Sequence, residues 1–414
     1  MRPRTSSHEI ASHSRREFLS ISAHLLAGGF ALQPFTAAFS QATRADRNVR
    51  ITGIEVFTVN VTQRTNWIIL RLNTNVGISG YGEASLGGRA ELAELHEFYA
   101  MVDGRSPFAV AEYRAQGRSR AAAGGREIAT AFSAIEQALW DLSGKILDAP
   151  FYDLVGGKLR DSLAVYANIN RATVERTPAG FAETAQRAVA DGFNAIKAAP
   201  FDGFPALTAP AAEIARAKEL GIACVYAMRE AVGEDVAIKI DAHSFFDVEL
   251  AIEVAGELER ARLSWLEEPV APTQTQDTKL IHDAISQTLA GGEFLFGMEG
   301  FWPLCENRAV DIIMPDVKHC GGLMEATHIA AIAQAVDVRV SPHNPSGPIS
   351  TAASVALCAT LPNFEILEYQ WGEAEWRGTL VEPGENIEGG AISSNGRPGF
   401  GIDLNERVLE AHRL

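Results

Sequence analysis

Cysteine is scarce: Cys224, Cys305, Cys320 and Cys358 are scattered through 414 residues, and none belongs to a CxxC pair. That spacing argues against a zinc ribbon or a disulfide framework and for buried structural thiols. Basic charge is also short. Lys and Arg number 36 against 52 Asp and Glu, a net charge of −16, which disfavours a nucleic-acid binder because phosphate contacts need a basic surface. An acidic field does not attract carboxylates either, so a carboxylate substrate would need a local metal or a few Arg and Lys. Strongly apolar runs of the ~20 residues that span a bilayer are missing. Disorder is excluded as the main state, since 47% hydrophobic residues can fill a core.

What is present begins with a delivery label. Ser14-Arg15-Arg16-Glu17-Phe18-Leu19 precedes an apolar stretch over 21–39, interrupted by His24, Gln33 and Pro34, and small residues follow to Ala42. A basic start, a short apolar middle and a small-residue exit read as a signal peptide over residues 1–45, and the paired arginines specify the twin-arginine type. Cleavage after Ala42 removes four arginines and two glutamates and takes the net charge from −16 to −18. The expectation is a periplasmic protein, cytoplasmic if the signal is not used, with no membrane association after signal removal.

Residues 46–157 read as a small α+β domain. Strands are expected over 49–59, 67–72 and 78–82, with turn chemistry at Asn73–Gly77, and the pattern is helical over 91–147. There Ile135, Ala138, Leu139 and Leu142 fall at i, i+3, i+4 and i+7. From 158 to 370 eight β-like runs alternate with helices, at 163–169, 193–198, 236–241, 263–267, 288–293, 310–316, 336–343 and 364–368. That rhythm predicts an α/β fold with a parallel barrel. Residues 371–414 are expected to return to the first domain.

Polar residues end these runs in register. Asp241, Glu267, Glu293, Asp316, His343 and Glu368 follow one another at intervals of 23 to 27 residues, about one βα unit, which places them at the barrel end where active sites lie. A single strand-end acid reads equally well as a helix cap or a surface ion pair; six in register do not. Converging carboxylates repel unless a cation neutralises them. Oxygen ligands without nearby cysteine suit Mg²⁺ rather than zinc. Asp316 and His343, from adjacent strands, can form an oriented base, with one imidazole nitrogen on the carboxylate and the other free to take a proton.

With these features in view, the chain resembles the enolase superfamily in its mandelate racemase/muconate lactonizing enzyme-like branch, and within it the galactonate-type acid-sugar dehydratases. The resemblance covers residues 49–412. It rests on Ala134–Leu142 with Pro150–Gly157, on Trp265-Leu266-Glu267-Glu268-Pro269, and on Met314-Pro315-Asp316-Val317-Lys318-His319-Cys320-Gly321-Gly322. It implies a (β/α)7β barrel under an α+β capping domain. It also implies Mg²⁺ on Asp241, Glu267 and Glu293, a His343–Asp316 base dyad, and Glu368 as an acid that hydrogen-bonds the enediolate. Asp241-Ala242-His243 resembles the Asp-x-His whose histidine protonates a departing hydroxyl. Two residues apart in an extended chain, Asp241 and His243 would point to the same side; a histidine that merely orients Asp241 is the plainer reading. The racemases' second strand-two lysine is missing from Lys197-Ala198-Ala199, which disfavours racemisation. Lys197 is left either to contact a substrate carboxylate or to pair inside the barrel.

The implied reaction removes the proton α to the carboxylate of a sugar acid (aldonate or aldarate) and eliminates the 3-hydroxyl, giving a 2-keto-3-deoxy acid. Glu368 would then have to be protonated, or share a proton, to donate to an enediolate oxygen, and proximity to other acids would raise its pKa. Substrate choice is expected from 61–67 and 84–91, where Arg64 and Arg89 are loop cations. The expected partner is a small-molecule carboxylate, with no nucleic acid, and the chain is expected to be a homo-oligomer. Two alternatives stay open: a cycloisomerase or epimerase on the same scaffold, and a catalytically silent exported carboxylate-binding protein.

Overall fold

The computed structural model describes residues 48–63, 65–86 and 92–414; the signal segment, Arg64 and Arg89 fall outside the described residues. Three antiparallel strands, β1 (Ile51–Asn60), β2 (Asn66–Thr74) and β3 (Ser79–Glu83), lie in the order β1-β2-β3. The stretch read as helical is three helices, α1 (Leu92–Tyr99), α2 (Val110–Ala123) and α3 (Arg126–Leu147). Gly125, at φ 82°, breaks the pattern between the last two. Helix α3 is buried almost all round from Ala129 to Gly144, because β3 packs on it and the barrel helices close its other side. Two glycines make that approach possible: a Cβ on Gly80 would meet the Ala138 carbonyl at 2.6 Å, and one on Gly82 the Ala134 carbonyl at 2.0 Å.

After the short α4 (Phe151–Leu154) come eight strands: β4 (Ser162–Asn168), β5 (Ala195–Ala198), β6 (Ala237–Asp241), β7 (Trp265–Glu267), β8 (Leu289–Gly291), β9 (Ile312–Ile313), β10 (Arg339–Val340) and β11 (Leu367–Gln370). The helices between them are α5 (Pro178–Ala190), α6 (Ala211–Val232), α7 (Val248–Glu257), α8 (Thr275–Ala284), α9 (Gly297–Glu306), α10 (Gly322–Gln334) and α11 (Pro348–Cys358). Neighbouring strands pair in parallel from β4 to β10, and β11 returns to β4 with Leu367 opposite Val165. A parallel bridge between Val340 and Phe364 closes the ring. Several strands are shorter than the runs read from sequence, β9 and β10 above all. Beyond them the chain bends into the site, and there its N–H groups bond side chains instead of a ladder, as Lys318 N does with Asp316 Oδ1 at 2.7 Å.

The barrel interior is filled, not hollow. Tyr166, Ala195, Trp265, Ala290, Ile312 and Met314 form its apolar plug. Lys239 lies over the Trp265 ring at 4.5 Å and the Tyr166 ring at 5.2 Å, and burial brings its pKa down to about 8. All four cysteines are buried and unpaired. Among the described residues no helix is long and apolar enough to cross a membrane.

Residues after 370 join both parts of the molecule. Strand β14 (Ala391–Ser393), which follows β12 (Val381–Glu382) and β13 (Ile387–Glu388), pairs with the start of β4, Ala391 opposite Ala164. Phe400 N donates to Asp141 Oδ1 on α3 at 2.8 Å. Beyond β15 (Asp403–Leu404) and α12 (Glu406–His412), Arg413 bridges to Val59 of β1. The small domain is in turn tied to the barrel by carboxylates. Buried Glu83, ending β3, accepts from Gly347 N at 2.7 Å and Ser350 N at 2.9 Å. It thus caps α11 just after His343, where an anion is favoured.

Candidate active site

The strand-end residues gather at one end of the barrel. Asp241 ends β6, Glu267 ends β7, Glu293 lies two residues past β8, Asp316 and His343 each three past their strands, and Glu368 sits within β11. All six are buried. Above them a cavity of about 420 Å³ opens between barrel and small domain, lined by Lys197, Asp241, His243, Glu293, Phe294 and His343 from the barrel and by Trp67, Ser85, Leu86 and Arg126 from the small domain. Thr65 and Asn66 also reach it, so both loops expected to select substrate contribute walls.

His343 and Asp316 form the expected dyad, with Nδ1 2.8 Å from Asp316 Oδ2. Asp316 Oδ2 also lies 3.3 Å from Lys318 Nζ. Burial would raise the Asp316 carboxyl, but Lys318, His319 and His343 hold it well below the usual carboxylate range. Burial lowers the His343 pKa, and the Asp316 hydrogen bond offsets this only in part. The ring is therefore a neutral base with Nε2 toward the cavity, 3.3 Å from Glu293 Oε2.

The acidic group divides. The ligating atoms of Asp241, His243 and Glu293 lie within 4.8 Å of one another. Glu293 Oε2 is a buried acceptor without a hydrogen-bond partner despite its nearness to His343. Burial and the charges of Glu268 and Asp241 push the Glu293 carboxyl well up. Glu267, expected in the metal set, is raised by burial and by Asp241, yet both its oxygens are engaged: Lys197 Nζ at 2.6 Å and Trp265 Nε1 at 2.9 Å. A surplus of buried oxygen charge with an unpaired acceptor fits a hard divalent cation. In this arrangement His243, rather than Glu267, completes the converging trio.

Glu368 departs from the protonated state expected for it. Oε1 accepts from Asn168 Nδ2 at 2.7 Å and lies 2.9 Å from Lys197 Nζ, and Oε2 accepts from Asn344 N at 2.8 Å. Burial raises its carboxyl, but Lys197 and His343 prevail and lower it. It is an ionised acceptor behind Lys197. Lys197, ion-paired with Glu267, Glu368 and, at 3.4 Å, Asp241, is a cavity-lining donor. Burial opposes its charge, and those carboxylates hold its pKa well above the usual value.

His243 reaches the site by a route the extended-chain argument did not foresee. The strand stops at Asp241, and His243 and Ser244 take left-handed backbone at φ 45° and 58°. Such conformations cost about 1–3 kcal/mol each. They are held by His243 N on Asp241 Oδ1 at 2.9 Å and Ser244 N on the Glu268 carbonyl at 2.7 Å. The turn leaves Nε2 3.2 Å from Asp241 Oδ2. Burial would lower the His243 pKa, but Asp241 and Asp202 push it up to about 12.

Sequence reading missed Lys318 and His319, although both stand inside a quoted motif beside Asp316. Lys318 Nζ donates to the Ser85 carbonyl at 3.4 Å, and His319 Nδ1 is 2.8 Å from Thr130 Oγ1, so both link the dyad strand to the small domain. Nothing in the local pattern marked Asn168, Asn170, Arg171 or Asp202.

The chain is similar to known proteins over most of its length. Residues 180–408 match the family model described as "Enolase C-terminal domain-like", and residues 40–156 match "Mandelate racemase / muconate lactonizing enzyme, N-terminal domain". The chain is 34% identical over 381 residues to a D-xylonate dehydratase of Haloferax volcanii, covering 89% of this chain and 90% of that protein. It is 31% identical to a D-galactonate dehydratase of Variovorax paradoxus, covering 84% and 91%. A solved member of the enolase superfamily from Salmonella Typhimurium superposes with TM-score 0.79 at 27% identity, covering 87% of this chain and 98% of that one.

Proposed function

Because the chain belongs to the mandelate racemase/muconate lactonizing enzyme family of the enolase superfamily, we propose that it is an acid-sugar dehydratase that removes the proton α to a carboxylate and expels the 3-hydroxyl. The observation that carries this reading is a neutral imidazole, held by Asp316, whose open nitrogen shares a cavity with Asp241 and Glu293. The dehydratase names of the two relatives support it.

Asp241, Glu293 and Glu267, which stands opposite Asp241 in the β6–β7 ladder, would hold Mg²⁺. A divalent cation bound there supplies positive charge against the negative charge that develops on the substrate carboxylate. The remaining work falls to side chains. His343 takes the C2 proton on Nε2, and Asp316 stabilises the resulting imidazolium. The C2–H electron pair is first delocalised onto the substrate carboxylate and then forms the C2=C3 double bond as the C3–O bond breaks with its pair going to oxygen. His243 gives that oxygen its proton, so water leaves. The enol then tautomerises to the 2-keto-3-deoxy acid, while His343 returns its proton to solvent and His243 regains one. Lys197, charged between Glu267 and Glu368, offers hydrogen bonds to a substrate carboxylate oxygen. Proton removal on one face and protonation of a leaving group need one base and one acid, the roles proposed for His343 and His243; racemisation would need a second base.

The test is a screen of aldonates and aldarates with Mg²⁺, read with semicarbazide for 2-keto-3-deoxy products. Product from at least one acid is expected, with loss of C2-proton exchange in His343→Asn. A lactone or an epimer as the sole product would overturn the assignment. Calorimetric Mg²⁺ titration of Glu267→Gln and His243→Asn separates the ligand sets: weaker binding only in Glu267→Gln is expected, and weaker binding only in His243→Asn would replace Glu267 by His243. Export by the twin-arginine route is part of the same proposal, carried by Arg15, Arg16 and the apolar stretch after them. A reporter fused to residues 1–45 should reach the periplasm and fail to do so when both arginines become lysine.

A further inference from the structure

Of the three imidazoles that line the cavity, His243, His319 and His343, two are gripped through Nδ1 by an aspartate. His343 has Asp316; His243 has Asp202, with Oδ1 2.5 Å from Nδ1. Asp202 comes from the loop after β5, 41 residues from His243 in sequence, and is itself held from behind. Its Oδ2 accepts from Asn170 Nδ2 at 2.8 Å and lies 3.4 Å from the Arg176 guanidinium. Arg176 donates in turn to Asn170 Oδ1 at 3.0 Å and to the Ala199 carbonyl. The loops after β4 and β5 thus lock one carboxylate in place, and that carboxylate fixes the ring. With Nδ1 so occupied, Nε2 is the nitrogen left for the cavity side, next to Asp241 Oδ2. The left-handed turn at His243 and Ser244 is strain that a solvated loop histidine would not need to retain.

We infer that Asp202 is a positioning residue for His243, and that the two form a second aspartate–histidine pair which delivers the proton to the departing hydroxyl. This rests on the dehydratase reading. In the step, the C3–O bond breaks with its electron pair going to oxygen, the proton leaves Nε2, water forms, and the imidazole stays neutral with its Nδ1–H on Asp202. The carboxylate orients the ring and balances its charge beforehand, as partners one shell removed commonly do, with losses of about 10–100-fold when they are removed.

The experiment compares wild type, Asp202→Asn and Asp202→Glu with Mg²⁺ and a turned-over sugar acid. In Asp202→Asn, kcat for dehydration should fall about 10–100-fold with KM near wild type, while His343-driven exchange of the C2 proton with deuterated solvent continues at the wild-type rate. Asp202→Glu should recover part of kcat. Nitrogen-15 imidazole spectra, which need no turnover, should show His243 with a hydrogen-bonded Nδ1–H in wild type and without it in Asp202→Asn. Wild-type kcat in Asp202→Asn, equal losses of dehydration and exchange, or an unchanged His243 spectrum would overturn the inference while leaving the dehydratase reading standing. Failure of the wild-type enzyme to dehydrate any sugar acid would overturn the dehydratase reading and the delivery role together.

Discussion

Two clusters of buried charge sit on opposite accounts in this molecule: one at the barrel mouth, the other where the small domain's helices meet the barrel. At the interface, Glu136 on α3 accepts from Leu323 N at 2.7 Å, Met324 N at 3.0 Å and Trp140 Nε1 at 3.0 Å. Glu325 on α10 accepts from Met298 N at 2.9 Å and pairs with Arg114 and Arg118 of α2. Cations match carboxylates, and backbone N–H groups fill what remains. At the mouth, Asp241, Glu267, Glu268, Glu293, Asp316 and Glu368 are buried around Lys197 and Lys318, and a Glu293 oxygen stays unpaired. Burial raises Glu293, whereas at Glu325 the Arg118 hydrogen bond and the Met298 N–H overcome burial and lower it. The satisfied cluster serves folding; the unsatisfied one holds stored repulsion that a cation and a substrate can relieve, and that is the mark of a site.

The comparison breaks most sharply at His343. His343→Asn should lower kcat about 10³-fold, measured by semicarbazide assay, with the thermal midpoint nearly unchanged. Glu325→Gln should do the reverse. It leaves two guanidiniums without their shared carboxylate and should cost about 3 kcal/mol in denaturant unfolding, while the activity of the folded fraction persists. The sign of its pH dependence follows from the lowered carboxyl. The Glu325 contribution is complete above the unfolded carboxylate range, about pH 4.3, and is lost as pH falls through the folded value. The gap between wild type and Glu325→Gln should therefore be full near neutrality and close in acid.

Glu293→Gln tests the other sign. A carboxyl raised on folding adds stability below its unfolded pKa and loses it as pH rises through the folded one. In metal-free protein the substitution should thus raise stability near neutrality by about 1 kcal/mol, and the rise in melting temperature expected for wild type with Mg²⁺ should be absent from the variant. A loss of stability instead would show that Glu293 is already compensated. Smallest is Lys218→Ala, which removes a surface lysine between Glu253 and Glu257 and should change stability by less than about 1 kcal/mol with no effect on turnover. A larger change would mean that surface pairs, and not only buried ones, hold the barrel helices.

The fold was legible because its signals are local. Alternating apolar runs and helices are spaced by the length of a βα unit, and the strand-end positions of Asp241, Glu267 and Glu293 follow from that spacing. Glycines at 80 and 82 read only as a strand, and their close approach to α3 could not be seen before packing. The site was legible as a set of residue types and only partly as an arrangement. Glu267 belongs to the set, but its tie to Lys197 depends on a residue 70 positions away. The raised pKa expected of Glu368 failed because neighbouring acids were counted and the lysine between them was not. His243 was found from the resemblance of Asp241-Ala242-His243, and the extended-chain reason offered beside it did not hold, since its backbone is left-handed.

Taken alone, the order of amino acids settled which side chains stand at the ends of which strands, since hydrophobic periodicity and unit length are properties of short stretches of chain. It settled the resemblance through short motifs, Trp265–Pro269 and Met314–Gly322 among them. Only the folded molecule decided which carboxylate faces a lysine and which faces open space, that Asp202 holds His243, and that Glu83 caps the helix beyond His343. Those outcomes depend on distances between groups remote in sequence. Coulombic and hydrogen-bond energies fall off steeply with separation and grow with burial, so the charge state of each group was fixed only when the barrel closed.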